Sequence, residues 1–156
     1  MKTKLTIELV PSSTWGFNLR SMLSKSEWDK VRKSIYQKAN HKCEICGGVG
    51  PKWPVECHEI WHYEEQTKTQ RLCGLIALCP KCHQVKHMGR TMSIGKGEQA
   101  KKHLAKVNGW SLQDANYYIE VMFEVWHRRS RENWTLDIVW LEENGIGIDK
   151  NVKNDK

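Results

Sequence analysis

Apolar residues follow two periods along this chain, and the changes between them divide it into elements. Leu5, Ile7 and Leu9 alternate with Thr6, Glu8 and Val10, which predicts a β-strand over Thr3–Val10. Pro11–Arg20, with Gly16 and a serine pair, predicts a loop. Ser24 and Glu27 form a capping-box pair ahead of Trp28, Val31, Ile35 and Ala39 at helical spacing, so a helix is expected to run to about Asn40. Val55–Tyr63 and Thr69–Leu72 read as two strands around a polar turn at Glu64–Lys68. Cys79 stands at the N-cap of a short helix, with Pro80 at its first position and Gly89 at its end. Ala100, Leu104 and Val107 mark a further helix closed by Asn108-Gly109. Ser111 caps a longer one whose inner side carries Leu112, Ala115, Ile119, Met122 and Trp126. Trp134, Leu136, Ile138 and Trp140 alternate, predicting a late strand expected to pair with Thr3–Val10 and close the two ends of the chain on each other. The pattern is α+β. It divides into a strand-and-helix packing region (1–40), a central core (41–96), a C-terminal helical region and strand (97–144) and a polar, flexible tail (145–156).

Composition sharpens this. The chain has 156 residues, enough for one domain with a real core, and eight tryptophans argue against disorder. Its longest clean apolar run, Leu75–Leu78, is far below the roughly 18–20 residues that span a bilayer. The start has two lysines but no apolar stretch of roughly 7–15 residues, as a secretion signal would need. A soluble, cytoplasmic protein without a membrane partner is expected. The net charge is +7, unevenly spread: residues 1–96 carry sixteen Lys/Arg against eight Asp/Glu, and residues 97–156 carry nine against ten. A basic front end points to a polyanion contacted by the first part of the chain, a merely basic solvated surface being the alternative.

The cysteines carry the first chemistry. Cys43-Glu-Ile-Cys46 and Cys79-Pro-Lys-Cys82 are two C-x2-C knuckles with 32 residues between them. One such motif is also what a redox site looks like; two together supply four thiolates for one tetrahedral Zn2+. Zinc ribbons usually separate their knuckles by roughly 15–20 residues. The longer insertion has room for a hairpin and a loop into the second knuckle's helix, so the metal clamps a strand–strand–helix unit. On that helix His83 and His87 lie four residues apart, on one face, roughly 90° from the Cys79/Cys82 pair. The helix can thus address a structural zinc with its first turn and a second metal with its imidazoles. The plainer readings are surface histidines, or one of them completing the first zinc site.

The segment Cys43–Arg90 resembles an HNH endonuclease of the ββα-metal type, through CEIC at 43–46, VECHEIW at 55–61, LIALCPKCHQVKH at 75–87 and the following Gly89. Beyond it, LTIELVPSSTW and HLAKVNGWSLQDA are similar to bacterial and phage proteins described as HNH endonucleases. The resemblance implies His58 as the general base at the end of the first strand, His83 and His87 as ligands of a catalytic cation, and structural Zn2+ on the four cysteines. Two positions depart from the family pattern. The residue before the base, commonly an Asp or His ligand, is Cys57, and the middle Asn falls on Gly74. Cys57 could ligate as a thiolate, Glu59 could replace it, and Gln70 could stand in for the Asn. A Cys57–Cys73 disulfide across the hairpin is a further option under oxidation.

The implied reaction is hydrolysis of a DNA phosphodiester, in double-stranded DNA, by one divalent cation. Two imidazoles suit Mn2+, Ni2+ or Zn2+ better than Mg2+. Lys81, Lys86 and Arg90, on or just past the helix, could hold flanking phosphates, and His62 reads as a substrate contact or a bystander. A larger phage or bacterial assembly is a further implied partner. The alternative from another class is a zinc-stapled nucleic-acid- or protein-binding module whose catalytic centre has decayed; such a module needs none of His58, His83 and His87.

Overall fold

An antiparallel hairpin is the frame on which the other elements are hung. In the computed structural model, which describes residues 3–148, β1 (Glu56–Glu64) pairs with β2 (Thr69–Leu78) around a turn ending at Lys68. β2 runs past the expected Leu72 and straight into Cys79. The register jumps between Ile60 and Trp61, which oppose Gly74 and Leu72, so Cys73 is an extra residue in β2. That bulge shifts the side-chain period by one, hiding the second half of the strand from a simple alternation count. It also places Cys57 opposite Ala77, four residues along from Cys73, so a disulfide between them is ruled out by distance: both are free cysteines.

Helices flank the hairpin on both sides in the chain. Before it come a 3-10 turn (Ser12–Thr14), α1 (Leu19–Met22) and α2 (Lys25–Lys38). Asn18 makes a capping box with Ser21, so the expected loop over Pro11–Arg20 contains two short helical starts. Ser24 caps α2 by accepting the Glu27 N–H. After the hairpin come α3 (Pro80–Lys86), α4 (Met88–Ser93), α5 (Gly97–Asn108) and α6 (Leu112–Ser130). Cys79 caps α3 and Ser111 caps α6, as their spacing predicts, and Gly109 closes α5 in the left-handed conformation at φ 68°. The expected end of α3 at Gly89 is displaced. The helix breaks at His87 (φ −99°, ψ 50°), and Gly89 lies inside α4 because Met88 turns into the core. Leu112, expected on the inner side of α6, is exposed on its first turn.

The two terminal strands are corrected most. Leu5 and Ile7 are buried as the alternation predicts, but Thr3–Val10 forms no β-ladder. Its polar groups are met by side chains and a helix end instead: the Asn108 Oδ1 accepts the N–H of Lys4 and Leu5, the Tyr118 hydroxyl that of Ile7, and the Lys86 carbonyl that of Glu8. The late strand shrinks to β3 (Thr135–Asp137), which pairs in parallel with Thr69–Arg71 at the edge of β2. Asp137 accepts the Val139 N–H as the chain turns into α7 (Val139–Glu143), which buries Leu141. The chain ends do meet, through Ser130 on Ser12 and Ser13 on Trp134, but not strand to strand.

Two buried clusters result, and the hairpin serves both. One gathers Leu5, Ile7, Leu78, Val85, Met88, Leu104 and Ile119; the other gathers Leu19, Leu23, Val31, Trp61, Leu72 and Leu141. Ile146 packs against the second, so the chain is still engaged past Gly145; residues 149–156 of the expected tail lie outside the described residues. Among the described residues, no helix is long and apolar enough to cross a membrane.

Asn108 is the clasp of the opening segment, since its Nδ2 also donates to the carbonyls of Leu5 (2.9 Å) and Leu104 (3.2 Å). Asn108→Ala is expected to cost about 2–3 kcal/mol in urea unfolding, since it leaves buried backbone groups unpaired. A loss under about 0.5 kcal/mol would show that apolar packing alone holds Thr3–Val10.

Candidate functional site

The four knuckle sulfurs share one small volume. Cys43, Cys46, Cys79 and Cys82 place their Sγ atoms all within 4.8 Å of one another, with Cys46 and Cys79 at 3.6 Å. The local sequence explains how. Gly47, at φ 78°, lets the first knuckle double back so that its N–H reaches the Cys43 carbonyl and the Gly48 N–H points at the Cys46 sulfur. Cys79 as N-cap turns its sulfur toward the Cys82 N–H. Gly50 packs where a Cβ would stand 2.3 Å from the Trp53 carbonyl and 2.7 Å from Pro80, pressing the 47–54 loop onto the start of α3.

The clustered thiols shift one another's acidity. A hydrogen bond with Cys82 pulls Cys43 down to about 4. The same bond, then burial, pushes Cys82 up, and burial pushes Cys79 up to about 11. A tetrahedral ion bonded at about 2.3 Å to each sulfur spaces them about 3.8 Å apart, so the cluster fits a structural metal. His103, which no motif singled out, adds its Nε2 at 3.2 Å from the Cys82 sulfur.

The second group lies on the other side of α3. His58, His83 and His87 each offer a ring nitrogen within 4.8 Å of the others, with ring centroids 5.2, 5.1 and 4.7 Å apart. The Nε2 atoms of His83 and His87 face each other at 3.1 Å. Two carboxylates fix the outer nitrogens. Glu56 Oε1 accepts from His83 Nδ1 at 2.8 Å, and its Oε2 accepts from the Trp53 indole N–H at 2.8 Å. Glu8, from the opening segment, accepts from His58 Nε2. These bonds leave Nε2 of His83 and Nδ1 of His58 with their lone pairs free.

Burial, helped by nearby His83 and Lys86, holds His58 below its ordinary value against the lift of the Glu8 carboxylate. Burial works against ionised Glu8, but the hydrogen bond and charge of His58 and the charge of Lys86 outweigh it, so its carboxyl stays below the usual range. His87 is exposed on one side, yet partial burial of its ring and the neighbouring His83 and His58 bring it down to about 3. Imidazole nitrogens beside charged carboxylates form a donor set suited to a divalent cation.

Several residues expected at this site are elsewhere. Neither Cys57 nor Glu59 joins the three imidazoles. Burial pushes the Cys57 thiol up to about 12, unlike a ligating thiolate, and Glu59 accepts the Leu19 N–H at 3.2 Å. Lys86 is buried with its Nζ on Thr6 (2.7 Å) and Glu8 (3.4 Å), so it neutralises the site from within and meets no phosphate. Lys81 is exposed, but two residues before His83 on a helix puts it on the opposite side. Arg90 is exposed beside His87. Gln70 is buried against Thr14 near the far end of the hairpin, away from His58.

Two clefts open beside the histidines. One, about 820 Å³, is lined by Arg20, Lys25, Arg32, Trp28, Tyr36 and Trp53 together with Glu56 and His83. The other, about 760 Å³, reaches from Glu59, His87 and Arg90 to Trp15, Phe17, Phe123 and Trp126. The basic residues of the first cleft precede the first knuckle and had no motif to mark them; Glu8 and Glu56 were equally unmarked. No family model, curated protein or solved structure matches the chain, so geometry carries the functional reading.

Removing one sulfur tests the first group directly. Cys82→Ser is expected to lower the metal content of the purified protein by one ion per chain, with loss of cooperative thermal unfolding of α3 and the hairpin. Unchanged metal content, by mass spectrometry of the native protein, would dissociate the sulfur cluster from metal binding.

Proposed function

We propose that this protein is a metal-dependent endonuclease of the HNH type that its sequence resembles, hydrolysing phosphodiester bonds in DNA, with Zn2+ as the structural ion on Cys43, Cys46, Cys79 and Cys82. The observation that carries the reading is the convergence of His58, from the hairpin, with His83 and His87, from the helix that follows it, between a basic cleft and an aromatic one. A binding module has no use for three converging imidazoles, two of them with a ring nitrogen held by a carboxylate.

In this reading His83 and His87 hold the catalytic cation through Nε2, with Glu56 keeping the His83 ring in place through Nδ1. A divalent cation bound there supplies Lewis-acid stabilisation of the charge that builds on the scissile phosphate and the departing 3′ oxygen. His58 takes a proton at Nδ1 from the attacking water. Glu8 holds the ring by Nε2–H and favours the imidazolium that proton transfer creates, so it does the orienting work left vacant by Gly74. Lys86 and the Lys86 carbonyl in turn fix Glu8. Arg20, Lys25, Arg32 and Arg90 flank the cation on its two sides and serve the backbone phosphates.

Plasmid nicking by chelator-treated protein supplied with Mn2+, Mg2+, Ni2+ or Zn2+ tests this. His58→Ala is expected to stay folded and zinc-loaded and to lose at least about 100-fold in rate, the usual scale of a general base. Glu8→Gln is expected to keep metal content and melting temperature while turnover falls about 10–100-fold. Equal rates in wild type and His58→Ala would remove His58 from the mechanism. No cleavage by the wild type with any of the four ions would favour the zinc-stapled binding module.

A further inference from the structure

The cleft beyond His87 has a property that gripping a phosphate backbone does not require. Trp15 is 59 % exposed, yet it is not loose. It stacks on Trp126 with centroids 5.9 Å apart and planes 13° from parallel. Both indole N–H groups donate to one atom, the Val10 carbonyl, at 2.6 and 2.8 Å. Phe123 meets Trp126 edge to face at 6.4 Å, and Phe17 lines the same cavity. The wall is therefore rigid and presents π-faces, its indole donors being already used. It can hold an aromatic ring by stacking but cannot read hydrogen-bonding edges.

Its other end is polar, with Glu8 and Glu59 beside His87 and Arg90. His87 and Arg90 line the same cleft, so the aromatic wall is continuous with the metal-binding imidazoles. A cation-holding end joined to an aromatic end complements a nucleotide, a phosphate joined to a flat ring. An apolar peptide segment would leave the polar groups at the His87 and Arg90 end without partners. In a regular duplex the bases are stacked on one another and their faces are closed to a side chain, so a base can use this wall only if its strand is unpaired there.

We propose that the cleft of Trp15, Phe17, Phe123 and Trp126 is a nucleobase-stacking site for the strand whose phosphate lies at the histidines, which makes the substrate single-stranded or locally unpaired DNA rather than uniform duplex. This rests on the nuclease reading above for the position of the phosphate. It narrows the expectation of a double-stranded substrate: duplex is engaged where a base is already out of its stack, as at a mismatch, a flap or a junction. Selectivity for base identity is weak, since every base has a π-face.

Binding without added divalent cation separates this from catalysis. Anisotropy is read for three fluorescein-labelled 12-mers: oligo-thymidylate, the same length of abasic phosphodiester, and a fully paired duplex. Wild type is expected to bind the thymidylate strand about tenfold more tightly than the abasic strand, the scale of one stacked base. Trp15→Ala is expected to reduce thymidylate binding to the abasic level while abasic binding is unchanged; Trp15→Phe, which keeps a ring, retains most of the preference. Equal affinity of wild type for thymidylate and abasic strands overturns the proposal, as does a Trp15→Ala protein that keeps the preference, or tighter binding of duplex than of thymidylate. Cleavage with Mn2+ is read in parallel. Base-dependent binding without cleavage sinks the nuclease reading alone, and cleavage with base-independent binding sinks the stacking site alone.

Discussion

Four sulfurs drawn from two turns far apart in sequence occupy one pocket, an arrangement that can hold a structural metal ion. The placement of the helix that carries His83 and His87 depends on that junction. The first knuckle is stitched to the end of β2, with the Glu44 N–H on the Ala77 carbonyl at 2.9 Å and the Ala77 N–H on the Glu44 carboxylate at 2.7 Å. The second knuckle is the first turn of α3. Joining them sets the angle at which α3 leaves the hairpin, and so the distance from His58 to His83 and His87. α3 has seven residues and could not stand as a helix on its own. A structural ion on four sulfurs is worth about 10–16 kcal/mol in small metal-folded domains, comparable with the whole net stability of an ordinary domain.

A second layer of constraint acts on the imidazole rings. Glu56 and Glu8 come from opposite directions, one from the start of β1 and the other from a segment whose backbone is held by α5, α6 and the end of α3. Each carboxylate binds the nitrogen that faces away from the centre, so ring orientation is decided by chain far from the hairpin turn. The opening segment is therefore more than a cover for the core. Leu5 and Ile7 anchor it, Asn108 clasps it, and Glu8 is the residue so delivered. Gly74 sits beside a bulge opposite Ile60, and the hold on His58 comes from Glu8, in another part of the chain.

What could be read beforehand divides along the range of the interactions. The cysteine knuckles, the Ser111 cap, the Asn108-Gly109 stop and the hairpin turn are local chemistry, set by neighbours within a few residues, and all were legible. The partner of an extended segment is not local. Alternation at Leu5, Ile7 and Leu9 reports only that one face is buried; it is silent on whether a strand, a helix end or an amide side chain satisfies the backbone, and here it was Asn108, Tyr118 and Lys86. Glu8 stood on the face opposite Leu5, Ile7 and Leu9, and nothing in the alternation marked it. Trp134–Trp140 failed in the same way, since three residues at the edge of β2 satisfy the alternation before α7 begins. The bulge at Cys73 hid half of β2 because one inserted residue reverses the period on which the reading depends.

Charge counted along the chain also overstated what faces outward at the site. Lys86 lies between His83 and His87 in sequence and would be a phosphate contact by position alone, yet its ammonium is spent on Thr6 and Glu8 beneath them. Had it pointed outward, Glu8 would be a buried carboxylate with only a neutral imidazole as its partner, an arrangement that burial penalises. The lysine is thus needed where it is, and the cations left at the surface near the histidines are those of the two clefts, Arg20, Lys25 and Arg32 on one side and Arg90 on the other. So few outward charges release few counterions from a DNA backbone, which leaves a share of the binding free energy in the proposed complex to contacts that salt does not screen. Aromatic faces beside the three imidazoles are contacts of that kind, and the chain places Trp15 and Trp126 on one side of them and Trp28 and Trp53 on the other.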